Sequence, residues 1–266
     1  MKHFEFGKNW DNYSQVITEI RVKTAEQSLV ELVGIETIQG RKVLDIGSGS
    51  GIHSLSFLRS GAAHVDMFDY DLDSVNTSKK LIRDNWTKSN WECFQGDILN
   101  CSNVNSGYDI VYSWGVLHHT GNLRKALINA SQKVTDEGLL VIALYKKTPM
   151  CFLWKIEKYI YTHSGNDTRA LLLQLYRLLF KVGLFLKRKN FRTYEENYFM
   201  NRGMDLTIDM IDWLGGYPYE SISAKNTEKV LNGMDFQLVK SKISGARFGF
   251  LGTGCSEFVF KKKPLK

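Results

Sequence analysis

The sequence predicts an α/β chain: a doubly wound, largely parallel sheet interrupted late by a helical insertion. Three observations predict it. Between about residues 40 and 146, short β-branched runs alternate with stretches of helical period, the rhythm of strands joined by crossover helices. From about 148 to 215 the rhythm stops and long helical patterns replace it. From about 225 it resumes.

The elements follow in order. Residues 1–39 read as a helical leader, because TAEQSLVELVG carries helical spacing and closes on Gly34. Within a core at 40–147, strands are expected at VLDI (43–46), HVDMFD (64–69), WECF (91–94), YDIVYS (108–113) and GLLVIALY (138–145). Residues 148–224 form the insertion, with a long helix at ALLLQLYRLLFKVGLFL (170–186). Residues 225–266 complete the core with a helix at KNTEKVLNG, a strand at FQLVKSKI and a last strand at SEFVFK. There are no internal repeats or low-complexity segments.

Composition narrows the classes. A chain of 266 residues with 43% hydrophobic and 12% aromatic content buries a real core and is no disordered segment. Cys93, Cys101, Cys151 and Cys255 lack C-x-x-C pairing, so reduced thiols are expected and no metal site. The first ten residues hold no signal-peptide stretch, and no run of eighteen apolar residues occurs, so a cytoplasmic location is expected. The net charge of +7 gathers partly at KRKN (187–190) and KKK (261–263), where a solvated face accounts for it.

After the first strand comes GSGSG (47–51). Such glycines let the backbone turn tightly and let a ligand approach the next helix. A dinucleotide fingerprint needs G-x-G-x-x-G, and the last of those positions is Ile52 here. Asp45, Asp69 and Asp97 close the first three strands, and in an open parallel sheet they converge on one crevice. Carboxylates repel phosphates but suit an ammonium, a ribose diol and an exocyclic amine. S-adenosylmethionine has all three and no phosphate.

Together, DIGSGSG (45–51), FDYD (68–71), GDI (96–98) and YDIVYSWGVLHH (108–119) resemble the class I S-adenosylmethionine-dependent methyltransferases. The resemblance covers about 40–146 and 225–260, and it implies a seven-stranded sheet whose last strand is antiparallel. It implies that Asp45 and the amides of Gly47, Ser48, Gly49 and Gly51 surround the methionine part. Asp69 is then expected on the ribose with Tyr70 beside the adenine, and Asp97 and Ile98 bracket that adenine. Ser113 and Trp114 would pass close to the cofactor, and Tyr13, with Trp10, would close over the methionine carboxylate. S-adenosylhomocysteine is the implied product. Segments RGM (202–204), DWLGGYPYE (212–220) and GTGCSEFVF (252–260) are similar to a bacterial methyltransferase-domain subgroup, some members of which lie among surface-glycan genes.

Methyl transfer requires in-line approach of the acceptor, and a hydroxyl acceptor also needs a general base. His118 and His119, just past the fourth strand, are the candidates. His53 reads as packing. The insertion is expected to cover the crevice, with Arg202, Trp213, Tyr217, Tyr219 and Glu220 facing a small polar acceptor, sugar-, nucleotide- or phosphate-containing. Three alternatives stay open: a lipid-linked acceptor reached through the basic, apolar helix near 170–189, an RNA acceptor, and a non-catalytic sensor of the cofactor.

Overall fold

A computed structural model describes residues 4, 7, 17–102, 104–202 and 206–264, with the side chains of 199–202 left aside. The strands are β1 (Lys42–Ile46), β2 (His64–Asp69), β3 (Trp91–Gln95), β4 (Tyr108–Trp114), β5 (Val134–Tyr145), β6 (Phe236–Lys242) and β7 (Cys255–Lys262). They form one seven-stranded sheet in the order β3-β2-β1-β4-β5-β7-β6. The pairs from β3 through β5 are parallel, and β7 runs antiparallel to both its neighbours. This is the doubly wound sheet with an antiparallel last strand that the resemblance implied.

Helices α1 (Glu19–Val33), α2 (Ile52–Arg59) and α3 (Leu72–Asn85) cover one face, and α4 (Leu123–Ser131) and α9 (Ala224–Asn232) the other. The pleat sorts each strand between them. On β1, Val43 enters the core beneath α1–α3, whereas Leu44 and Ile46 enter the core beneath α4 and α9. On β5, Val141 joins the first core and Leu140, Ile142 and Leu144 the second.

Between β5 and α9 stand α5 (Cys151–His163), α6 (Asn166–Leu186), α7 (Phe191–Arg202) and α8 (Leu206–Gly215). They have a third core of their own, built on Tyr161, Tyr176, Tyr198, Met210, Trp213 and Leu214. An amphipathic helix that finds no sheet face must bury its stripe against other helices. Tyr145, the last residue of β5, packs its ring 5.1 Å from that of Trp213 and so joins this helical core to the carboxyl end of the sheet.

Candidate active site

The topology sets the site. Where β1 and β4 lie side by side their crossovers leave for opposite directions, and the carboxyl ends splay into a crevice. A cavity of about 1530 Å³ opens there, walled by the strand ends on one side and by α6 and α8 on the other.

The glycine loop forms its floor. Gly47, Gly49 and Gly51 all have left-handed backbones, with φ of 76°, 55° and 81°. A Cβ on Gly47 would lie 2.4 Å from a methyl of Val116, and one on Gly51 would lie 2.9 Å from the Ser78 backbone, so both positions need glycine for shape and for space. The loop amides are otherwise engaged than the sequence reading expects. Gly47 and Ser48 donate to the Phe68 carbonyl, Gly49 donates to Asp69, and Gly51 donates to the Ser48 carbonyl. These four amides hold the loop's shape, and Gly47, Ser48 and Gly49 present backbone surface to the cavity rather than donors.

The acids divide in role. Asp69 lines the cavity and ties the loops together, one oxygen accepting from Gly49 N at 2.9 Å and the other from Asp71 N at 3.0 Å. Each oxygen keeps a second lone pair. Burial pushes its carboxyl up to about 6, against those backbone hydrogen bonds. Asp97 lines the cavity too, while capping a short turn through Leu99 N at 2.8 Å and holding the Asn100 amide at 3.0 Å. Tyr70, 60% exposed, and Ile98 flank these two acids.

Asp45 corrects the reading. Its pleat direction turns it beneath α2, where it is 2% exposed, accepts from Ser54 Oγ at 2.6 Å and stays off the cavity wall. Burial lifts its carboxyl to about 7, opposed by the Ser54 hydrogen bond and helped by the charge of Asp69. Ser113 likewise faces inward, donating to the Ile46 carbonyl at 3.0 Å and so fixing β4 to β1. Trp114 does reach the cavity, with its indole N–H on Glu257 at 2.9 Å.

The two histidines part company. His118 is fully buried under Tyr145, ring centroids 3.9 Å apart, and burial holds its imidazole well below the ordinary value. It lies off the cavity wall, packed beneath it. His119 lines the cavity. Its Nδ1 lies 2.9 Å from the Pro218 carbonyl, which can only accept, so the proton of the neutral ring sits on Nδ1 and the basic lone pair on Nε2. His53 also reaches the wall, beside Tyr112 and Trp114, and burial lowers its imidazole to about 4.

Of the acceptor residues the sequence pointed to, Trp213 alone among those described forms part of the wall. Glu220 accepts from Leu123 N at 2.7 Å and caps α4. Tyr219 is 3% exposed and donates to Cys151 Sγ at 3.4 Å, and Tyr217 packs on Tyr159. Their chemistry is taken up by packing behind the wall. Tyr13, Trp10 and the Arg202 side chain lie outside the described residues.

The sequence reading missed a second set. Asp209 and Met210 of α8 and Tyr176 and Phe180 of α6 line the roof beside Trp213. Their i, i+4 spacing is the signal that could have found them. Tyr198 donates to Asp209. Arg21, from α1, reaches the floor side. Among the described residues no cluster of His, Cys, Asp or Glu is arranged to hold a metal ion, and no helix is long and apolar enough to cross a membrane.

Comparison with known proteins sets the family. A protein of Neisseria meningitidis named ubiquinone biosynthesis O-methyltransferase is 24% identical over 147 residues, 55% of this chain and 60% of that one. Its mitochondrial namesake from Schizosaccharomyces pombe is 31% identical over 118 residues, 44% and 42% of the two chains. The chain thus spans only part of the length of these relatives. Among solved structures, magnesium protoporphyrin IX methyltransferase of Synechocystis with bound S-adenosylhomocysteine aligns over 91% of this chain and 83% of its own, at 15% identity and TM-score 0.55. An O-methyltransferase family protein from Burkholderia thailandensis aligns over 92% and 58%, at 12% identity and TM-score 0.55. At such identities these two show the fold. The family model described as a methyltransferase domain matches residues 18–192, and the chain belongs to this family of S-adenosylmethionine-dependent methyltransferase domains.

Proposed function

We propose that this protein methylates a hydroxyl oxygen of a small acceptor, with S-adenosylmethionine held at the strand ends and the acceptor under the helical insertion. The observation that carries the reading is His119: it stands on the wall shared by the glycine loop and the α8 roof, with its lone pair assigned to Nε2 by the Pro218 carbonyl.

The cradle fits the cofactor on its own chemistry. Asp69 offers two oxygens to a ribose diol, Asp97 accepts from an exocyclic amine, and Ile98 gives an apolar face for the base. Arg21 supplies the cation that a methionine carboxylate requires, a task the sequence had assigned to Tyr13. S-adenosylmethionine supplies an electrophilic methyl on a sulfonium centre. With the cofactor bound, His119 would take the hydroxyl proton on Nε2 as the acceptor oxygen gains the methyl and the methyl–sulfur bond breaks to leave S-adenosylhomocysteine, and Trp213 and Met210 would keep water from that line.

Two observations bear on the acceptor. The roof carries Asp209 and Asp212 among tyrosines, so it favours hydroxyl or amine donors over an anion. The relatives named above are O-methyltransferases of ubiquinone biosynthesis, which supports oxygen as the acceptor atom. The narrower reading, a sugar- or phosphate-containing precursor of a surface glycan, is supported by the tail residues alone, several of which have structural work here. Residues 148–224 act in this proposal as an acceptor-selecting lid on a cytoplasmic enzyme.

The test uses methyl-labelled S-adenosylmethionine, the purified protein and a host extract separated into small-molecule, lipid, RNA and protein fractions. Label in a hydroxylated compound, reduced about a hundredfold or more in His119→Ala with cofactor affinity unchanged, is the expected result. Label in RNA, or cofactor binding without transfer to any fraction, overturns it.

A further inference from the structure

The outer side of the insertion is built unlike a solvated surface. Helix α6 turns Leu171, Leu175, Leu178, Val182, Phe185 and Leu186 outward, each about half exposed or more, with Phe185 at 78% and Leu186 at 76%. Steps of three and four residues place them on one stripe. The opposite stripe, with Tyr176 and Phe180, lines the cavity. The helix is therefore apolar on both sides, whereas an ordinary surface helix is apolar on one.

The loop before β7 gathers more of this surface at one end. Met150 N donates to the Phe248 carbonyl at 3.3 Å, and the Trp154 indole donates to the Gly249 carbonyl at 2.6 Å, which seats the loop at the start of α5. Tyr176 donates to the Leu251 carbonyl at 3.0 Å, and a Cβ on Gly183 would lie 2.5 Å from Leu251, which seats it on the later half of α6. The exposed rings of Phe152, Phe248 and Phe250 are thus carried by the start of α5 and by a loop resting on the later half of α6, the half that ends in Phe185 and Leu186.

Charge defines what covers this tip. From Lys181 to Arg192 the chain carries five basic residues and no acid, and exposed Arg247 lies in the same loop as Phe248. A rim of cations around exposed aromatic and leucine side chains complements a surface that is apolar inside and anionic outside. With no helix among the described residues able to span a bilayer, the contact is a docking and not an insertion.

We propose that the α6 tip and the 248–250 loop dock this protein on an anionic lipid bilayer, with the lid helix between the membrane and the crevice. The inference stands on the surface alone and is read without turnover, so it survives or fails separately from the methylation reading.

The test is co-sedimentation of the full chain with vesicles of phosphatidylcholine, alone or mixed with phosphatidylglycerol. Binding to the mixed vesicles, weakened by added salt and at least tenfold lower without the anionic lipid, is expected. At about fivefold per cation near such a surface, the triple variant Lys187→Gln, Arg188→Gln, Lys189→Gln loses roughly a hundredfold. Phe185→Glu with Leu186→Glu loses binding as well, and both variants keep wild-type affinity for S-adenosylhomocysteine, which shows them folded. Wild-type protein left in the supernatant, variants that bind like wild type, or a dimer in sedimentation velocity that the same variants abolish in place of vesicle binding, would overturn the proposal.

Discussion

Asp45 and Asp69 end neighbouring strands, and burial raises both carboxyls, yet one serves the scaffold and the other the crevice. The difference is depth along the strand, since Asp45 pairs with Met67 and so lies two residues short of Asp69 on the same sheet face, which a row of strand-end acids does not reveal. Asp69 must be ionised to accept from two hydroxyls, and its carboxyl sits at about 6. S-adenosylmethionine affinity is therefore expected to fall below pH 6, by up to tenfold per unit, and Asp69→Asn to bind weakly with a flat profile. Titration calorimetry from pH 5 to 8 checks this, and a flat wild-type profile contradicts the ribose role. Lys158 is the counterpart inside the helical insertion: fully buried, its ammonium 3.7 Å over the Trp213 ring, with no hydrogen-bond partner for Nζ among the described residues. Burial lowers it to about 7, with Glu157 and Asp212 pulling upward. Because the folded pKa lies below the unfolded one, the unfolded chain binds more protons between about 7 and 10.5, so stability rises with pH across that window. Lys158→Met is expected to add ~1–4 kcal/mol near pH 6, a gain that shrinks towards pH 10.5. An equal gain at both ends, in melting curves, would show the effect to be packing alone.

At the scale of elements, the sequence was most legible where period and boundary residues agreed. The strand runs, the leader helix ending at Gly34, and the helix before β6 sit within a few residues of their expected places. β5 departs, starting at Val134 instead of Gly138, because a bulged register against β4 lets an extra Tyr108–Val134 pair form ahead of the left-handed residue Glu137. That depends on the partner strand and leaves no local signal. The tail segment around residues 212–220 was legible only in part for a related reason: Trp213 reaches the wall, but Glu220 caps α4 and Tyr219 packs inward. Glu220→Ala is expected to cost about 1 kcal/mol, a fall of roughly 2–4 °C in Tm, and to leave cofactor affinity intact. A weakened cofactor with an unchanged Tm would return Glu220 to the site.

Across the whole molecule, the proposed function draws on two bodies of structure meeting over one crevice. The sheet supplies the glycine loop, Asp69, Asp97 and His119, and these were visible in order along the chain. The roof was not, because Asp209, Tyr176 and Phe180 are brought over the strand ends only by helix packing between α6 and α8. The same packing leaves the other side of α6 exposed, so the insertion faces both crevice and surroundings. The most direct measurement is a crystal structure with S-adenosylhomocysteine. The expected result has the ribose hydroxyls on Asp69, the adenine against Ile98, and the sulfur turned towards His119 and the α8 roof. A ribose held by another acid, or a sulfur facing away from His119, would contradict the site described above.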